Sequence, residues 1–129
     1  MASTPESKVK ALIKQLLVLH GAYYVMPVSN GMGRHGVPDF MVCAYGRFIG
    51  IEAKTVGKYP TDLQMSNLRQ LDETGGIALV INETNLHELD GVLHVLKING
   101  TPRSNYRLFE RPQKAPADAG GPTLKRRGT

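Results

Sequence analysis

The first apolar pattern in the chain has helical spacing: Val9, Leu12, Ile13, Leu16 and Leu17 share one face, and Lys8, Lys10 and Lys14 lie mostly on the other. Two start signals compete. Pro5 suits the first helical position behind a Thr4 cap, whereas Ser3 and Glu6 make a capping box; Gly21 ends the helix. Glu6, three residues before Val9, sits near the buried edge of the first turn, where its carboxylate can either cap the helix or face a site beneath it. Residues 22–28 then read as a short strand whose regular part Pro27 closes. Between Gly36 and Lys54 lie two apolar-rich runs separated by Tyr45-Gly46, the signature of a β-hairpin. Thr61 caps a second helix with Met65, Leu68 and Leu71 inward and Gly75-Gly76 as its stop. The unbroken apolar run Ile77 to Ile81 predicts a strand buried on both faces. Thr84 is the expected cap of a third helix carrying Leu86, Leu89, Leu93 and Leu96 and ending near Asn99-Gly100. The predicted order is α, β, β, β, α, β, α, an α/β chain.

The hairpin brings chemistry with it. A two-residue turn at Tyr45-Gly46 sets Ala44 opposite Arg47 and, further along the register, Asp39 opposite Glu52. Opposed residues of an antiparallel pair have Cβ atoms roughly 4.5–5.5 Å apart. Lys54 shares their face because strand side chains alternate with period two. Two carboxylates and a lysine thus meet at one end of the hairpin, as a metal site with a catalytic cation or as a structural salt-bridge cluster. Two opposed acids repel unless a cation lies between them, and Lys54 is itself one candidate cation.

Composition narrows the classes. The length of 129 residues predicts one domain, and no apolar run is long enough for a membrane span. The N-terminus lacks a basic-then-apolar secretory pattern, so an intracellular, cytoplasmic location is expected. One cysteine excludes an intrachain disulfide, and Cys43, amid apolar neighbours, reads as core filling. The net charge of +5 resides entirely in residues 101–129, where Arg103, Arg107, Arg111, Lys114, Lys125, Arg126 and Arg127 face only Glu110 and Asp118. Residues 1–100 are therefore expected to form the folded domain, followed by a basic, flexible tail that either touches nucleic acid or is solvated. Within that tail Tyr106, Leu108 and Phe109 are apolar anchors able to dock on the body. The glycines of residues 29–36 match no phosphate-binding loop. That loop, with Arg34 and His35, either reaches a substrate phosphate or is a solvated connection; Lys58 in the turn after the hairpin is a further candidate substrate contact. His20, His87 and His94 have no ligand spacing in the sequence.

Pro38-Asp39 followed by Glu52-Ala53-Lys54 resembles the PD-(D/E)xK nuclease motif. Within that superfamily Gly36-Val37-Pro38-Asp39-Phe40, Ile51-Glu52-Ala53-Lys54 and Gln64 resemble the VRR-NUC domain, in its small stand-alone form from phages and bacteria. The resemblance spans roughly Glu6 to Ile81. It implies a restriction-endonuclease-like core with a mixed central sheet flanked by helices. It also implies a Mg2+-dependent DNA endonuclease, with Mn2+ as a substitute, acting as a homodimer on junctions, flaps or nicks in a bacterial or phage-infected cell. Asp39 and Glu52 would hold the metal, with the Ala53 carbonyl and, directly or through water, Glu6. Lys54 would be catalytic, and Gln64 would orient water or phosphate, although it also completes a capping box with Thr61. Some relatives carry a tyrosine where this chain has Leu68, which leaves a helix hydroxyl without a counterpart. A catalytically silent DNA-binding or scaffold protein, or a sequence-specific restriction-type nuclease, are the alternative functions.

Overall fold

A computed structural model describes residues 4–28 and 33–113. Helix α1 spans Pro5–Leu19, strand β1 Tyr23–Val25, β2 Phe40–Ala44, β3 Arg47–Ala53, helix α2 Asp62–Glu73, β4 Ile77–Ile81 and helix α3 Leu86–Lys97; a 3-10 turn at Tyr106–Phe109 follows. The strands lie in the order β1-β2-β3-β4. The first two pairings are antiparallel and β3 runs parallel to β4, so the sheet is mixed, as expected. Alternation along β3 and β4 divides the core. Ile49, Ile51, Ile77, Leu79 and Ile81 pack against Val9, Ile13 and Leu17 of α1 and Leu89 and Leu93 of α3. On the other face Ala78 and Val80 pack against Met65 and Leu68 of α2 and against Tyr106. All five residues of β4 are buried, the two-sided burial its sequence predicts. None of the described helices is long and apolar enough to cross a membrane.

The hairpin turn has two residues. Tyr45 and Gly46 both have positive φ (51° and 78°), as a type I′ turn requires, and the register runs from Ala44↔Arg47 to Phe40↔Ile51. Gly50 of β3 is a point of close approach, since a Cβ there would meet the Leu71 side chain of α2 and lie 3.0 Å from Pro38. Its missing side chain lets α2 and the segment leading to Asp39 press directly on the sheet.

Three expectations need correction. Cys43 is exposed rather than core-filling. Phe40, Val42 and Ala44 take the inward positions of β2, so Cys43 faces the other way, paired with the exposed Tyr23 and Phe48 where no helix covers the sheet. Leu12 lies at the exposed edge of the α1 stripe. Thr84 does not cap α3: its hydroxyl donates to the Asn82 carboxamide oxygen at 2.7 Å, and the N-cap position falls to Asn85. The first helix follows its Thr4–Pro5 reading, with the Ser7 N–H donating to the Thr4 hydroxyl.

Part of the stretch expected to be flexible is built into the fold. Ala78 N–H donates to the Ser104 hydroxyl at 2.8 Å, and the Asn105 side chain pairs with both the N–H (2.7 Å) and the carbonyl (3.0 Å) of Val80. These contacts satisfy the outer edge of β4. Tyr106 beside them is 1% exposed, while Leu108 stays outside. Replacing Asn105 by Ala strands the buried Val80 N–H, while the Val80 carbonyl keeps the Asn85 amide at 3.0 Å, and is expected to cost about 2 kcal/mol of stability. Urea unfolding reads the change, and a loss below about 1 kcal/mol would show that water replaces the side chain there. Lys114, Lys125, Arg126 and Arg127 lie outside the described residues.

Candidate active site

Pro38 is buried against β3, and Asp39 leaves it one residue before β2 begins. The next pair beyond Phe40↔Ile51 in the observed register is Asp39 and Glu52, as the sequence predicts. One Asp39 oxygen accepts a hydrogen bond from the Ala53 N–H at 2.8 Å, which fixes the carboxylate across the strand pair. Glu52 lies on the α2 face of β3 and is 2% exposed. Its Oε2 is 3.5 Å from Lys54 Nζ, and its Oε1, fully enclosed, has no hydrogen-bond partner. Burial, reinforced by the neighbouring Asp39 carboxylate and opposed by Lys54, pushes the Glu52 carboxyl up to about 8.

A cation missed in the sequence completes the cluster. Lys10 Nζ lies 3.6 Å from Asp39 and 3.5 Å from Glu6, one helical turn earlier. The lysines of α1 are therefore not all on its outer face. Glu6 touches neither Asp39 nor Glu52 and joins the group through Lys10. The only sequence signal for this link is the Glu6–Lys10 spacing of four.

The remaining predicted residues are distributed unevenly. Gln64 forms its capping box, accepting from the Thr61 N–H at 2.9 Å while its own N–H donates to the Thr61 hydroxyl at 3.1 Å. It nevertheless lines, with Pro27, Arg34, Pro38 and Asp39, a cleft of about 370 Å3. The amide nitrogen of Gln64 is the part left for a ligand in that cleft. Arg34 donates to the Gln70 side chain of α2 at the same cleft. His35 contributes its carbonyl to Asn67, at 3.2 Å, and its residue is otherwise exposed. Lys58 is exposed in the loop after β3 and is held there by its backbone bond to Thr55. Leu68 is core, 1% exposed, so no polar group of α2 stands at that position.

The donor chemistry of Asp39 and Glu52 fits a hard divalent cation. The Asp39 and Glu52 carboxylates adjoin, one beside Lys10 and the other beside Lys54, and the enclosed Glu52 oxygen has no donor. Hard oxygen ligands with one unpartnered buried lone pair suit Mg2+ or Mn2+ better than a softer metal.

Mixed sheet, flanking helices, and an acid pair with lysine across a hairpin define an α/β architecture of the restriction-endonuclease type. No protein-family model matches the sequence, and no curated protein matches it. Solved structures do match. One titled "VRR_NUC domain" aligns with a TM-score of 0.60 at 20% identity, over 71% of this chain and 97% of that chain. The fold expected from the motifs is the fold this chain shares with that structure.

Proposed function

We propose that the protein is a metal-dependent endonuclease that hydrolyses DNA phosphodiester bonds. The observation that carries the reading is Glu52, a carboxylate enclosed on β3 with one oxygen unpartnered, beside Asp39 and Lys54. A salt bridge to Lys54 alone leaves that oxygen unsatisfied at a cost of about 1–3 kcal/mol, which a bound cation would offset. Asp39 and Glu52 would hold Mg2+ or Mn2+, with the Ala53 carbonyl and Glu6 at the margin. When bound, the ion supplies Lewis acidity that acidifies water and offsets charge on the leaving oxygen.

The chain's own groups do the rest. The Ala53 N–H fixes the orientation of Asp39, leaving the carboxylate's other oxygen turned towards Lys10. Lys54, only 14% exposed, presents an ammonium to charge that builds on the phosphoryl oxygens. Arg34 and the Gln64 amide nitrogen border the adjoining cleft, where a strand's phosphates would pass. Residues 1–100 carry no net charge, which favours reading DNA shape at junctions, flaps or nicks over broad electrostatic capture. Two copies acting together would cut two strands.

Purified full-length protein is expected to nick supercoiled plasmid with Mg2+ or Mn2+ and to stop on chelation. A panel of linear, nicked, flap and four-way DNA would rank its substrates. Absence of cleavage of every one of these with either metal overturns the proposal.

A further inference from the structure

A second group of chemistry-bearing side chains lies at the other end of the hairpin. His20 is the residue that closes α1, and Asp90 and His94 are one turn apart on α3. His20 Nε2 is 2.9 Å from one oxygen of Asp90, and His94 Nε2 is 3.5 Å from the other. One donor atom from each of the three residues lies within 4.8 Å of the other two. Two ligands bound to one tetrahedral Zn2+ at 2.0–2.1 Å are about 3.3 Å apart, so the observed spacings bracket those of a loaded site.

The surroundings have the form that a metal-bound imidazole uses. The His20 side chain is 7% exposed, and its second ring nitrogen, Nδ1, is 3.1 Å from the Tyr45 hydroxyl of the hairpin turn. That hydroxyl serves both protonation patterns. It donates to Nδ1 in the tautomer whose Nε2–H is bonded to Asp90, and it accepts from Nδ1–H in the other tautomer, whose unprotonated Nε2 is free to bind a metal. The His94 side chain is 62% exposed and that of Asp90 40%, so the fourth position opens to solvent.

We propose that His20, Asp90 and His94 form a site for a borderline transition metal, Zn2+ by preference, with Tyr45 as the positioning residue of His20. Two imidazoles and one carboxylate select such an ion over Mg2+, which takes oxygen ligands. The site is separate from the Asp39–Glu52 cluster. Six residues of β2 and its flanks, at a strand rise of about 3.3 Å, put roughly 20 Å between Asp39 and Tyr45. A metal here ties the end of α1 to α3 and leaves the hairpin turn bonded to one of its ligands. Its effect is therefore on the stability of the fold.

The test uses full-length protein stripped by chelator, with Zn2+ or Co2+ added alone. His94→Gln, at an exposed position, removes one ligand without disturbing the core. Wild type is expected to bind one more equivalent of metal than His94→Gln. Zn2+ at 100 µM is expected to raise the Tm of wild type by about 5 °C and that of the variant by much less. Co2+ should give a visible d–d band, without thiolate charge transfer, that the variant lacks. Tyr45→Phe should weaken binding roughly tenfold while the band persists. Equal stoichiometry and equal Tm shifts in wild type and His94→Gln would overturn the proposal, leaving a metal-free hydrogen-bonded His–Asp–His cluster. None of these readouts depends on DNA cleavage.

Discussion

Glu52→Gln is expected to lower DNA cleavage by at least about 10^3-fold while making the metal-free protein more stable in alkali. Both effects come from one burial. In wild type the Glu52 carboxyl, with its pKa raised from 4.5 to about 8, keeps in the folded state a proton that the unfolded chain releases. Its contribution to stability is fully present below pH 4.5 and is lost as pH rises through about 8, leaving the metal-free protein weakened by several kcal/mol beyond that. Glutamine has no such charge. The variant's Tm should match wild type near pH 5 and exceed it near pH 9. Mg2+ should rescue wild type more at pH 9 than at pH 6, because the ligand must be ionised, and should not shift the variant. Thermal melts at the two pH values, with and without Mg2+, check this beside a cleavage assay. If the variant melts below wild type in alkali, the buried charge does not weaken the fold. If cleavage survives, Glu52 is not a metal ligand.

Lys54→Ala should separate chemistry from metal binding. Its ammonium touches Glu52 and no other described acid, so its removal leaves both Asp39 oxygens and their partners in place. Cleavage is expected to fall about 10^2–10^3-fold, the usual cost of losing one charge-stabilising donor. The Mg2+-induced Tm rise should remain, since both carboxylates are present. Without metal the variant should melt lower than wild type near pH 9, because the one cation that opposes the upward shift of Glu52 is gone. Turnover within tenfold of wild type would assign Lys54 a purely structural part.

The hairpin was legible because every step in it is local. Tyr45-Gly46 specifies the turn, the turn specifies the register, and the register brings Asp39 to Glu52. Helix spacings gave the inward faces of α2 and α3 for the same reason. Cys43 was misread because its neighbours are apolar on both sides and only the sheet's coverage, a tertiary property, decides which face is wet. Lys10 was missed because its link to Asp39 depends on where α1 crosses the sheet. His20 and Asp90 are 70 residues apart, a separation no ligand-spacing rule spans. The Asn105 contacts were hidden in the same way: a polar residue in a proline-rich stretch gives no sign that a strand edge awaits it.

That closed edge also governs how copies of the chain can associate. With Ser104 and Asn105 occupying the hydrogen-bonding groups of β4, the described sheet has one open border, the three-residue β1. Strand addition there uses up the border of both molecules. An assembly made in this way ends as a two-fold pair and has no second border from which to grow into a fibre.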